Sequence, residues 1–222
     1  MKILINSHNK SQKALDMLFQ SMKKCENFKN FEIIVCIGGH YELENYTTEK
    51  QENITYIKCP HNSIDFTALI TVLELYGNEP NTYYLYIHDT CYVGPNFFIN
   101  VENIERTYTS ITTLKIAPYY AMNIGVYSSE ILAHNKQFLL NQKNTDEAKV
   151  QHFKIKGVDN EDSIFIRDLN SRIIYEKGLT KATGPLDCYG TGVMRIVLYY
   201  ESLDLYKIKA NWERKATYEL NN

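Results

Sequence analysis

The stretch "YYLYIHDTCYVGPNFF" (Tyr83–Phe98) decides the fold. Its first five residues, Tyr83 to Ile87, are continuous strand material without polar alternation. A strand that is apolar on both sides has both faces covered, the condition of a parallel sheet in an α/β protein. It runs without a break into His88-Asp89-Thr90, and Gly94-Pro95 then begins a new segment. Polar side chains held rigidly at the carboxyl end of a buried strand stand where open α/β sheets bind ligands.

The sequence on either side agrees. "KILIN" (Lys2–Asn6), "FEIIVCIGG" (Phe31–Gly39) and "ITYIKCP" (Ile54–Pro60) read as strands of the same buried kind. Leu15, Leu18 and Met22 fall on one face of a helix, as do Phe66, Leu69, Ile70 and Leu73, with Ser63 as the expected cap. The order is strand, helix, strand, strand, helix, strand, which predicts an α/β parallel sheet. In the second half "LKIAPYY" and "MNIGVY" read as strands and "SSEILAHNKQFLLNQ" as a capped helix. "TDEAKVQHFKIKGVDN" reads as a polar, mobile connection, "EDSIFIRDL" as a helix opening on two acids, and "GPLDCYGTG" as a loop. "MRIVLYYESLDLYKIKANW" carries regular structure and then a basic, aromatic tail.

Composition bounds the function. The chain has 222 residues, enough to bury a real core, and neither an internal repeat nor a linker divides it. A single domain over 1–222 is expected. The net charge is −2, with 24 Lys and Arg against 26 Asp and Glu, so the basic excess of a nucleic-acid binder is missing. Five cysteines, odd in number and without C-x-x-C spacing, read as buried thiols in a reducing compartment. The apolar run at the start is too short for a signal peptide, and no later run has membrane-spanning length. A soluble, cytoplasmic protein is the expectation. The 18 tyrosines offer rings and hydroxyls for a polar ligand.

Three strand ends share one rim on this reading: Asn6-Ser7-His8-Asn9, Gly38-Gly39-His40 and His88-Asp89-Thr90. Each has a plainer alternative. Asp89 suits a turn before Gly94-Pro95, the histidines suit structural hydrogen bonds, and Gly38-Gly39 suits a simple turn. The G-x-G-x-x-G fingerprint and the P-loop are both absent.

Taken in order, the motifs resemble the nucleotide-sugar glycosyltransferases of the GT-A fold. "ILINSHNKSQKALDMLFQSM" is similar to the family's opening strand, polar turn and helix, and "HNSIDFTAL" to its Asn-containing helix start. "YYLYIHDTCYVGPNFF" resembles the Asp-x-Asp strand end, "NIGVYSSEIL" the sugar-side glycine strand, and "NEDSIFIRDL" the acidic helix start. The resemblance spans roughly residues 1 to 170. Size and residue bias also resemble glycosyltransferases of large DNA viruses, for which the host cytoplasm would be the location. It implies a Rossmann-type domain with a central, mostly parallel mixed sheet flanked by helices. The glycosyltransferase resemblance also implies a nucleotide-binding half at 1–100, an acceptor- and sugar-binding half at 101–222, and transfer of a hexose or deoxyhexose from a UDP-sugar to a glycan or other hydroxyl acceptor. Two departures stand out: the triplet His88-Asp89-Thr90 has one acid, and Gly38-Gly39 replaces the acid after the second strand.

The resemblance gives each residue a role. Asn6, Ser7, His8, Gly38, Gly39 and His40 would hold base and ribose. His88, Asp89 and Thr90 would face the diphosphate, and Asn123 and Gly125 the sugar. Asp89 would ligate a Mn²⁺ or Mg²⁺ ion, a Lewis acid that neutralises the departing diphosphate. Asp162, with Glu161 beside it, would be the base that takes the acceptor's proton; helix-start charge is the plainer reading of that pair. In the tail, Arg195, Lys207 and Lys209 would reach the diphosphate and Trp212 would stack, or all four belong to a solvated basic strand. Two other functions compete: a GT-A-like binding module without turnover, and a metal-dependent hydrolase built on His8, His88 and Asp89.

Overall fold

The computed structural model describes residues 1–108, 111–117, 124–158, 160–176, 179–180 and 197–208. Its centre is an eight-stranded mixed sheet. The strands are β1 (Lys2–His8), β2 (Ile33–Gly38), β3 (Thr47–Gln51), β4 (Ile54–Lys58), β5 (Tyr83–His88), β7 (Thr113–Ala117), β8 (Gly125–Ser128) and β9 (Arg172–Tyr175). They lie in the order β3-β4-β2-β1-β5-β8-β7-β9. Four adjacent strands, β4, β2, β1 and β5, run parallel, whereas β3 and β8 run against their neighbours. The fold is therefore mixed α/β with a large, mostly parallel sheet.

Side-chain alternation along the strands sorts the core into two layers. Ile3, Ile5, Leu85 and Ile87 face Leu15, Leu18, Phe19 and Met22 of α1 (Gln12–Met22). Leu4, Ile34, Tyr84 and Tyr86 face Phe66, Leu69, Ile70 and Leu73, at and before α2 (Thr67–Tyr76). The second layer also takes α4 (Ser129–His134), α5 (Lys136–Asn141) and α7 (Ser163–Arg167) through Ile131, Leu139 and Phe165. The helices after β1 and β4 thus cover opposite faces.

The structure corrects three expectations. The "polar connection" folds as a 3₁₀ turn at Glu147–Lys149 and then helix α6 (Val150–Val158), its polarity belonging to a helix largely open to solvent. Ser63 does not cap α2: a 3₁₀ turn (Ile64–Phe66) intervenes, and the Ser63 hydroxyl bonds His61 Nδ1 at 2.9 Å. The helix opened by two acids is only Ser163–Arg167, with Asp162 at its N-cap position and no side-chain capping bond. Asn123, Arg195, Lys209 and Trp212 lie outside the described residues, as does Cys188. Cys25, Cys36, Cys59 and Cys91 are buried and in no disulfide among the described residues.

A second, four-stranded sheet packs beside the first. It contains β6 (Cys91–Val93), β10 (Leu179–Thr180), β11 (Val197–Tyr200) and β12 (Leu205–Ile208), in the order β10-β11-β12-β6. Two carboxylates fasten it. Glu176, just past β9, accepts from the Glu201 N–H at 2.7 Å and the Ser202 N–H at 3.2 Å. Asp204 accepts from the Asn96 N–H at 3.0 Å, ahead of α3 (Phe97–Thr107), and from the Tyr199 hydroxyl at 3.1 Å. A Cβ on Gly94 would lie 2.3 Å from both Asp204 carboxylate oxygens. Gly94→Ala is expected to cost about 1–3 kcal/mol of stability, measured by urea unfolding. Wild-type stability would mean that the carboxylate swings aside without cost.

Candidate active site

In an open α/β sheet the ligand crevice lies beyond the carboxyl ends, where strand order reverses. Here that point is between β1 and β5: from β1 the order runs outward through β2 and β4 on one side and through β5 on the other. Asn6 pairs with His88 across the crevice. Alternation splits the polar residues at this end into two groups.

One group follows the α1 face. The Ser7 hydroxyl donates to Asp89 Oδ2 at 2.9 Å, and the Asp89 N–H bonds the Asn6 carbonyl at 3.0 Å. Asp89 is 7 % exposed. Burial pushes its carboxyl above the usual range, against the pull of Lys207, Ser7 and Ser11. Lys207 arrives from β12, whose register sets it opposite Cys91, while the Ile208 N–H bonds the Thr90 carbonyl at 2.8 Å. Its ammonium is also buried and donates to Thr90 Oγ1. Lys207 is thus not a solvated basic residue.

The other group follows the α2 face. Asn6 uses its whole amide to fix the start of α2, donating to the Ile64 carbonyl at 3.1 Å and accepting from the Ala68 N–H at 2.9 Å. His88 Nδ1 lies 3.6 Å from Asp65 Oδ1, and the Tyr86 hydroxyl donates to the Asp65 carbonyl at 2.6 Å. At the end of β2, Gly39 has φ +90, and a Cβ there would stand 2.7 Å from His8 Nε2. His8 Nδ1 accepts from the Lys10 N–H at 3.1 Å, which leaves the ring proton on Nε2, over the glycine. Burial, then Lys10 and His40, hold this imidazole below its ordinary range. His40 pairs with Glu42 at 2.9 Å, toward solvent.

The second half of the chain reaches the same rim by strand register. Tyr86 on β5 pairs with Gly125 on β8, and Gly125 with Lys115 on β7. Lys115 is thus two strand spacings from Tyr86, about 10 Å. Its ammonium holds Asp162 Oδ2 at 2.5 Å. Asp162 Oδ1 is buried with no hydrogen-bond partner among the described residues. Glu161 is close enough that its charge, after burial, Asp65 and Tyr127, helps push the Tyr86 phenol well up, as does Asp89. The Tyr86 phenol thus feels carboxylates of both halves, Asp65 and Asp89 on one side of the sequence and Glu161 on the other. A Cβ on Gly125 would meet the Leu114 carbonyl oxygen at 2.2 Å and Phe165 of α7 at 3.1 Å, so the glycine lets α7 close on the sheet.

The divalent ion implied by the resemblance fits this arrangement poorly. A divalent ion on a nucleotide diphosphate can take most of its oxygens from waters and phosphates, but its carboxylate must not already face a cation. Asp89 is a single acid, engaged by Ser7 and facing a buried ammonium. Among the described residues no three His, Cys, Asp or Glu gather to hold a metal, so His8, His88 and Asp89 make no hydrolase centre. Asp65 and Lys115 join the site without a signal of their own in the sequence. Asp65 lies inside the quoted "HNSIDFTAL", but nothing in that string pairs it with His88.

No family model matches the sequence, and no curated protein does. Among solved structures the chain is similar to S. aureus TarS 1–349 (TM-score 0.46, 12 % identity, 80 % of this chain and 59 % of that one). The same protein in complex with UDP gives 0.46 at 14 % identity, over 87 % of this chain and 63 % of that one. A glycosyltransferase involved in the glycosylation of the major capsid of PBCV-1 gives 0.44 at 15 % identity, over 85 % and 86 % of the two chains. The chain spans less than two thirds of the TarS structures it matches.

Proposed function

We infer that the chain transfers a sugar from a nucleotide-sugar, most simply a UDP-sugar, to a hydroxyl of a glycan. One observation carries this reading: Ser7, Asp89 and a buried Lys207 converge at the point where strand order reverses, with a second carboxylate, Asp162, farther along the same rim. Base and ribose then belong over Ser7, His8 and Gly38-Gly39, the diphosphate beside Thr90 and Lys207, and the sugar toward Gly125. Asn6 acts behind the site by holding α2 in place.

Displacement at the anomeric carbon needs a base on the side away from the diphosphate. Asp162 has that position in this reading, and its unpartnered Oδ1 is an acceptor for the hydroxyl's proton. Lys115 holds the carboxylate in orientation through Oδ2. As the acceptor oxygen bonds to the sugar, the bond between sugar and diphosphate breaks with its electron pair going to the diphosphate. This sequence of bond changes is not routed through Mn²⁺ or Mg²⁺, whose donor set among the described residues is incomplete.

The test is incubation with a panel of UDP-, GDP- and dTDP-sugars plus glycan acceptors, with and without Mn²⁺, following free nucleoside diphosphate. Failure of every donor to bind overturns the reading. Binding without transfer favours the binding-module alternative, for which the Lys115 pairing of Asp162 is the specific observation.

Gly39→Val probes the nucleotide end. The positive φ and the 2.7 Å approach to His8 leave no room for a side chain. The variant is expected to weaken UDP binding about tenfold or more in calorimetry. Wild-type affinity in a folded variant would move the base elsewhere.

A further inference from the structure

We propose that Lys207 is the charge that neutralises the donor's diphosphate, so that the site takes up and releases a nucleoside diphosphate without a divalent ion. The proposal rests on the nucleotide-sugar reading above and deepens it.

The lysine is placed by backbone, not by chance contact. Register between β12 and β6 sets Lys207 opposite Cys91, and the Ile208 N–H to Thr90 carbonyl bond of 2.8 Å closes the ladder at the end of β5. Buried along its stem and bonded at its head to Thr90, the side chain has little rotational freedom. Lys207 is 7 % exposed. Burying an ammonium is costly unless it is paired, and among the described residues the carboxylate whose charge acts with it is Asp89. No contact ion pair joins the two; Asp89 Oδ2 instead accepts from Ser7, and the ammonium donates to Thr90 Oγ1.

An ammonium has three donors, and Thr90 accepts one of them. The remaining donors suit the oxygens of a diphosphate lying across the crevice. A divalent ion at Asp89 would stand next to this fixed positive charge, on a carboxylate already engaged by Ser7. The protein's donor set therefore matches an anion held by lysine better than a hydrated metal. In the transfer step the bond from the anomeric carbon to the diphosphate oxygen breaks, and that oxygen keeps the electron pair. Lys207 receives the developing charge by hydrogen bonding, without giving up its proton. Between turnovers Thr90 Oγ1 holds the ammonium's position and the nearby charge of Asp89 balances it.

The experiment is calorimetric titration of the full chain with UDP and, separately, with uridine, in EDTA and in MnCl₂. Wild type is expected to bind UDP in EDTA within about threefold of its affinity in Mn²⁺. Lys207→Met is expected to lose about tenfold or more in UDP affinity while uridine affinity stays level, and Lys207→Arg to recover most of it. Equal loss of UDP and uridine in Lys207→Met would show a structural lysine and overturn the proposal. UDP binding that requires Mn²⁺ would overturn it too, leaving the glycosyltransferase reading intact. Binding of no nucleoside diphosphate under either condition would overturn both. Should Lys207→Met fail to fold, Thr90→Val decides: a selective loss of UDP affinity upholds the proposal and unchanged affinity overturns it.

Discussion

Asp162→Asn is expected to lower sugar transfer by about 10²–10⁴-fold, the range a positioned general base contributes. Donor affinity should barely change, because the group acts on the acceptor and mainly in the transition state. The warrant is geometric. Lys115, in register with Gly125 and Tyr86, holds Asp162 about two strand spacings, roughly 10 Å, from β5. One oxygen is anchored and the other has no partner among the described residues. An amide at 162 keeps the shape and cannot take a proton. Rates and calorimetry on this variant and on Glu161→Gln check it. Full turnover in Asp162→Asn with loss in Glu161→Gln would move the base one residue back. Full activity in both would remove this pair from the chemistry.

Acidification should unfold this protein partly through one histidine. His61 is completely buried, bonded to the Ser63 hydroxyl at 2.9 Å and to Tyr46 at 3.0 Å. Burial, then the nearby Lys143, push its pKa down to about 4, with Glu74 opposing. The unfolded chain titrates near the ordinary 6.5. Above that pH neither state binds the proton, so the histidine's full contribution is present. As pH falls toward 4 the unfolded state takes up a proton that the fold refuses, and stability drops by about 3 kcal/mol, of which about 2 is gone by pH 5. Urea unfolding of wild type and His61→Gln at pH 7.5 and 5.0 isolates the effect. The variant, though less stable at neutral pH, should show a smaller loss between the two. An equal loss in both proteins would mean that His61 titrates normally in the fold.

How legible each segment is depends on what it has to bury. β1, β2, β4 and β5 are covered on both faces, so their apolar runs declare them. β3, "TTEKQ", is exposed along its length, and an edge strand stabilised by one neighbour leaves no pattern to read. α6 reads as a connection because Gln151, His152, Lys154 and Lys156 are interspersed among its apolar residues and Gly157 lowers the helix preference of the sequence. The site divides in the same way. Strand ends can be located from the strands, which brings out Ser7, His8, Gly39 and Asp89. Lys115, Asp65 and the burial of Lys207 depend on which strands become neighbours, and that information is spread over the whole chain.

The junction of β12 with β6 also bears on the order of folding. Thr90 and Lys207 are 117 positions apart. Closing so long a loop costs about 2 kcal/mol more in chain entropy than closing one of ten residues. The four parallel strands can assemble from the first ninety residues, by nearer contacts, before this junction forms. Strand β12 should therefore dock late, and on local opening it should leave early. Amide hydrogen exchange would then run faster at 205–208 than at 3–5 or 84–87. A nascent chain would hold the four parallel strands and an unfinished anion cradle until β12 closed.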